Sequence, residues 1–127
     1  MIVIPMVGQS KRFFNAGYTE PKYMLDLGGK SVFEHSLLSF EKYFCVEKFL
    51  FIVRTDFDTP EFVHSVARKL GIVDFSIVTI DYDTRGQAET VALGLENCNF
   101  EGSLTIFNID TFRPQFSYPE GISGGYL

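Results

Sequence analysis

No run of apolar residues in this chain approaches the ~20 needed to span a bilayer as a helix, so the sequence offers no transmembrane segment. Positive charge is also scarce. Eleven Lys and Arg stand against sixteen Asp and Glu, a net charge of −5. That balance argues against general binding to nucleic acid or to anionic membrane, both of which attract basic surfaces. Cysteine is limited to Cys45 and Cys98, far apart and without metal-ligand spacing, which reads as two reduced core thiols in a cytoplasmic protein. Met1 leads directly into an apolar run with no basic segment before it, so no signal peptide is expected. Neither a Walker loop (G-x-x-x-x-G-K-[ST]) nor a dinucleotide fingerprint (G-x-G-x-x-G) occurs. Tryptophan is absent, while fourteen Phe are present, so the core is expected to be filled by phenylalanine. With 127 residues and 46% hydrophobic content, the chain suits one globular domain spanning 1–127.

What is there begins at the N-terminus. Met1 to Val7 (MIVIPMV) is almost wholly apolar and runs into Gly8-Gln9-Ser10-Lys11-Arg12-Phe13. A short apolar run ending in Gly and polar residues predicts a buried strand feeding a ligand loop. Gly8 lets backbone approach a ligand, and Ser10 adds a hydroxyl. Lys11, Arg12 and the later Lys22 add cations in an otherwise acidic chain. Arg and Lys together suit a polyphosphate, by forked and by point-charge contact respectively. The same residues also fit plain surface charge beside an ordinary turn.

The alternation continues. Tyr23 to Leu27 is expected to be extended and closed by Gly28-Gly29. Ser31-Val32-Phe33-Glu34 fits a capping box, opening a helix with an apolar stripe of Phe33, Leu37, Phe40 and Phe44. His35 beside that stripe reads as a partly exposed helix residue. Lys48 to Arg54 is a second strand. Thr59 as cap and Pro60 in the first turn open a helix facing inward through Phe62, Val63, Val66, Ala67 and Leu70, and Gly71 ends it. Asp74 to Ile80 is a third strand. A helix from Gln87 with Ala88, Val91, Ala92 and Leu95 follows, and Ser103 to Ile109 is a fourth strand ending at Asp110. Strands alternating with helices predict parallel βαβ units: an α/β fold, a Rossmann-like three-layer domain with a mainly parallel central sheet. Asp110, closing a strand on the rim that would carry the cationic loop, is a candidate ligand for Mg²⁺, which prefers one or two carboxylates with phosphate oxygens and water. An aspartate that merely starts a turn is the plainer reading.

The segments IPMVGQSKRF and AGYTEPKYMLDLGGKSVFEHSLLSF resemble the N-terminus of nucleotidylyltransferases that make nucleoside-diphosphate sugars and related compounds. That pattern is a strand, G-x-G-[ST]-R-[FLM], then P-K. Gly8, Arg12, Phe13, Pro21 and Lys22 fall on it; Ser10 replaces its second Gly and Lys11 its Ser/Thr. The resemblance runs from Met1 to about Pro114. It implies that Arg12 and Lys22 are catalytic cations. It implies that Val7, Gly8, Gln9, Ser10 and Lys11 line the nucleotide, that Gly86, Gln87 and Thr90 help hold base and ribose, and that Asp110 holds Mg²⁺. It implies transfer of a nucleoside monophosphate from a nucleoside triphosphate to a phosphorylated sugar or small metabolite, with pyrophosphate released, in the supply of capsule or cell-surface glycan precursors. The run from Pro21 to Phe40, Thr90 to Leu95 and Asp110 to Pro114 are similar to cytidylyltransferases acting on methylerythritol phosphate, which favours CTP, then UTP. Enzymes of this class are longer. The chain is therefore expected to be a nucleotide-binding half lacking its acceptor half, with Tyr126-Leu127 opening a further strand, and a homodimer is a possible state. A nucleotide-binding module without turnover and a glycosyltransferase-like domain are the rival readings.

Overall fold

The computed structural model describes residues 1–121, 124 and 125, so the expected strand at Tyr126-Leu127 lies outside the described residues. Four parallel strands form the central sheet in the order β5-β4-β1-β6. They are β1 (Ile2–Met6), β4 (Lys48–Val53), β5 (Asp74–Thr79) and β6 (Thr105–Ile106). A two-residue hairpin, β2 (Asp26–Leu27) with β3 (Lys30–Ser31), sits apart from it. The helices are α1 (Lys11–Asn15), α2 (Val32–Leu37), α3 (Thr59–Leu70) and α4 (Gln87–Leu95).

Successive residues of a strand point to opposite faces, and both faces here are apolar. Ile2, Ile4, Met6, Phe49, Phe51 and Val53 face α2 and α3, where they meet Phe33, Leu37, Val63, Val66 and Ala67. Val3, Leu50 and Ile52 face α4 and meet Val91. Strands buried on two sides read as continuous hydrophobic runs, as MIVIPMV and KFLFIV do. The expected Phe-rich core is present: Phe33, Phe40, Phe49 and Phe51 are fully buried. Phe40 and Phe107 pack edge to face with centroids 4.7 Å apart.

The capping box forms as read. Ser31 Oγ accepts from the Glu34 backbone N–H at 3.1 Å, and Glu34 Oε2 accepts from the Ser31 N–H at 3.0 Å. Several local expectations are corrected. Tyr23 lies in a 3₁₀ turn (Lys22–Met24), and only Asp26–Leu27 is strand. The helix after Ser31 is α-helical only to Leu37, then 3₁₀ from Leu38 to Tyr43 with Phe40 off helical geometry. The cap of α3 is Asp58, not Thr59, because Thr59 is already helical. Ala88 and Ala92 are exposed; Thr90, Val91 and Gly94 form the buried face of α4. The fourth strand is confined to Thr105–Ile106. Both thiols are free; Cys98 is half-buried and packs against the α4-side core, whereas Cys45 is exposed and is not a core thiol. No helix among the described residues is long and apolar enough to cross a membrane.

Candidate active site

The chain moves from β1 outward to β4 and β5, then returns to place β6 on the other side of β1. In open α/β sheets such a reversal opens a crevice beyond the carboxyl ends of the two strands that flank it, and ligands bind there. The residues singled out in the sequence gather on that rim. Val7 is buried beneath it and Gly8 is exposed above. Ser10 holds φ 52°, ψ 29°, a left-handed conformation that favours glycine, at the position where the resembled pattern has glycine. Lys11 and Arg12 open α1 with exposed side chains.

Across the crevice, Lys22 Nζ donates to Asp110 Oδ2 at 3.1 Å, and its ammonium lies 5.7 Å from the centroid of the Phe13 ring. Both members of the ion pair are substantially exposed, so the pair contributes little to stability and its partners are free to exchange for other ions. Ser36 Oγ donates to the Thr111 carbonyl at 2.8 Å and Ser39 Oγ accepts from the Arg113 N–H at 2.8 Å. These two buried hydroxyls tether the segment bearing Asp110 to the α2 layer.

A second cluster joins the rims of β1, β4 and β5. Gln9 donates through its amide to Asp83, and Gln87 donates to the Asn108 side chain. Arg54, largely buried, donates to the Asp81 carbonyl at 3.2 Å and lies 3.5 Å from both Asp56 and Asp83. The Thr55 N–H and hydroxyl bond Asp81 Oδ1 at 2.8 and 2.9 Å, and these bonds hold the Asp81 carboxyl below its ordinary range. Thr90 turns its hydroxyl inward, 2.7 Å from Thr84 Oγ1 and donating to the Gly86 carbonyl at 3.1 Å, so it fixes the turn that presents Gly86 and Gln87. Glu89 accepts from the Arg85 N–H at 2.6 Å, which lowers its carboxyl in turn. His35 stands outside the site, its Nε2 donating to the Leu27 carbonyl at 2.7 Å.

The structure thus brings together the glycine loop, Lys22, Asp110 and the Gly86–Thr90 junction. It adds Ser36, Ser39, Arg54 and Asp83, which sequence reasoning did not single out. Ser36 and Ser39, polar positions beside an apolar helical stripe, were the one available signal. Among the described residues no three His, Cys, Asp or Glu side chains gather as a ready-made metal cage. A single rim carboxylate fits Mg²⁺ arriving with phosphate oxygens and water, which needs no such cage.

This switch-point rim on a β5-β4-β1-β6 sheet defines a Rossmann-like α/β domain with its ligand crevice at the carboxyl ends of the strands. The nucleoside-diphosphate-sugar pyrophosphorylase from Vibrio cholerae RC9 is 56% identical, superposes with a TM-score of 0.92 and matches 94% of this chain and 51% of its own. The inositol-1-phosphate CTP transferase of T. maritima (19% identity, TM-score 0.73, 90% of this chain and 44% of that one) shares the fold. So does a UDP-glucose pyrophosphorylase solved with UDP-glucose (17%, TM-score 0.51, 77% and 41%). Neither a protein-family model nor a curated protein sequence matches. The chain belongs to the nucleotidylyltransferase family and spans about half the length of the Vibrio protein.

Proposed function

We propose that this chain is the nucleotide-binding part of an enzyme that transfers a nucleoside monophosphate from CTP or UTP to a phosphorylated sugar or small metabolite. One observation carries the reading. Lys22 and Asp110, distant in sequence, meet at 3.1 Å on the rim where the sheet order reverses, beside the loop bearing Arg12. In the reaction, a phosphate oxygen of the acceptor forms a bond to the α-phosphorus. The bond from that phosphorus to the α,β-bridging oxygen breaks, and pyrophosphate leaves with the electron pair. An acceptor phosphate is already an anion at neutral pH, so no general base is needed. Such chemistry depends on positioning and charge neutralisation.

Arg12 and Lys22 neutralise the triphosphate as charge develops on the leaving group. The backbone from Gly8 to Lys11, with Ser10 left-handed, offers N–H groups to the β and γ oxygens. Val7, Gln9, Gly86 and Gln87 line the base and ribose, with Thr90 holding their turn. Asp110 is the residue that would hold Mg²⁺, which when bound neutralises phosphate charge across the substrate and leaving group. Lys22 and Asp110 hold each other at 3.1 Å, and the pair would open so that the ammonium meets phosphate oxygens and the carboxylate is left to hold Mg²⁺. The acidic surface, the free thiols and the family support a cytoplasmic place in sugar-nucleotide supply for capsule or other surface glycans.

The test is pyrophosphate release from each of the four nucleoside triphosphates with Mg²⁺, using the longer protein and a panel of phosphorylated sugars and polyols. Release with CTP or UTP and one acceptor phosphate is expected. Release that never requires an acceptor phosphate, or transfer of sugar from a sugar nucleotide, would sink the reading.

A further inference from the structure

We infer that the turn Asp56–Thr59, which no part of the proposed chemistry uses, is a positioning device that holds both cationic segments of the site. The inference rests on the nucleotide-site reading only for its effect on ligand affinity. The turn leaves the carboxyl end of β4 and contains two successive non-glycine residues in left-handed backbone, Phe57 (φ 56°, ψ 26°) and Asp58 (φ 51°, ψ 34°). That conformation crowds Cβ against the following carbonyl and is rarely adopted twice in succession. A turn so held needs contacts that fix it; besides the ion pair of Asp56 with Arg54, two contacts reach the cationic segments.

The first reaches α1. The Phe57 ring stacks on Phe14 with centroids 5.3 Å apart and planes 13° from parallel. No residue of α1 is buried, so this helix, which begins with Lys11 and Arg12, has no core side chain to dock it. Phe57 is itself half exposed. A phenylalanine that only filled the core would not sit on the surface against a surface helix. The second contact reaches Lys22. The Thr59 hydroxyl donates to the Asp56 carbonyl at 2.6 Å, so its oxygen is left to accept from the hydroxyl of Tyr23 at 2.8 Å. Tyr23 is buried and adjoins Lys22 in the 3₁₀ turn. One four-residue turn thus touches the neighbours of Arg12 through a stack and the neighbour of Lys22 through a hydroxyl chain. Phe57 and Thr59 are positioning residues; neither touches the ligand.

Phe57→Gly separates the two contributions, because glycine takes the left-handed backbone without steric cost while losing the ring. Its unfolding midpoint is expected to stay near that of the parent. Amide hydrogen exchange at Phe14 and Ala16 should accelerate while exchange in β4 is unchanged. Affinity for Mg–UTP, measured by calorimetry on this chain, should fall about threefold to tenfold, the range of an aromatic pair. Phe57→Tyr should restore both. Thr59→Val should accelerate exchange at Met24 and Leu25, with Thr59→Ser restoring it. Unchanged exchange in α1 of Phe57→Gly would overturn the inference whatever the ligand does. Arg12→Ala decides the underlying reading separately. If it lowers Mg–UTP affinity and Phe57→Gly does not, the positioning role fails and the nucleotide site stands.

Discussion

Lys22 and Asp110 occupy the same few ångströms of rim and neutralise each other there. An exposed pair of this kind contributes little by itself, so its interest lies in competition. In the proposed site, triphosphate would compete with Asp110 for the ammonium, and a divalent ion would compete with Lys22 for the carboxylate. With the parent chain, UTP affinity should therefore rise as Mg²⁺ is added, because the ion draws Asp110 away from Lys22. Asp110→Asn should bind UTP without Mg²⁺ at least as well as the parent and show a flat response to added Mg²⁺. Calorimetric titrations at a series of Mg²⁺ concentrations read this directly, and an unchanged slope in the variant would remove Asp110 from the metal role. Arg12→Ala and Lys22→Ala should each weaken UTP binding by about 2–3 kcal/mol, the usual cost of a charge-assisted bond left unmade. Affinity unchanged from the parent in both variants would leave the cationic loop as ordinary surface charge. At this scale the sequence was informative about charged residues, because a carboxylate or guanidinium advertises its chemistry. Ser36 and Ser39 showed there only as polar positions beside an apolar stripe, because their importance depends on the main chain brought against them from far along the sequence.

Two helices show what the elements need. Glu34 closes the capping box of α2 and also accepts from Lys69 Nζ of α3 at 2.7 Å, so one buried carboxylate joins two helices. Burial alone would raise its pKa; the Lys69 ammonium and the Ser31 N–H outweigh that and hold it below the ordinary value. A carboxyl depressed in the folded state adds stability above its unfolded pKa and loses it as pH falls through the folded one. Glu34→Gln should thus destabilise the fold by roughly 1–2 kcal/mol at neutral pH. The gap between parent and variant should close in acid, below the usual carboxylate range near ~4.3. Urea unfolding at a set of pH values checks this; a pH-independent gap would mean that the carboxylate charge is not the cause. Gly94 raises the opposite question, since alanine is the better helix former by up to ~1 kcal/mol. A Cβ there would lie 2.2 Å from Ile52 Cδ1 and 2.6 Å from Cγ1, with Ile52 fully buried. Overpacking costs about 1–3 kcal/mol, so Gly94→Ala should be destabilising on balance, and adding Ile52→Val, which deletes Cδ1 but keeps Cγ1, should recover only part of the loss. Greater thermal stability in Gly94→Ala alone would show that α4 is not held against the sheet by this approach.

For the molecule as a whole, the α/β alternation was legible because strands buried on both faces are apolar throughout, whereas helices alternate with a longer period. What escaped was set by tertiary contact. The cap of α3 moved to Asp58 because Thr59 bonds Tyr23 and the Asp56 carbonyl. The fourth strand shrank to Thr105–Ile106, since pairing is limited to Ile2↔Thr105 and Val3↔Ile106. That short strand forms one edge of the described sheet, and Leu104, Ile106 and Phe112 near it are 40%, 46% and 49% exposed. Unpaired strand edges flanked by apolar side chains template pairing with another chain. The chain spans 51% of the Vibrio relative. Taken by itself, the 127-residue chain should therefore self-associate with rising concentration. Ile106→Lys, which places a charge on the exposed edge without entering the core, should keep it monomeric and leave Mg–UTP affinity unchanged. Sedimentation velocity over a concentration series resolves the two cases. A parent chain that stays monomeric throughout, or an Ile106→Lys variant that associates as strongly, would show that β6 is not the contact.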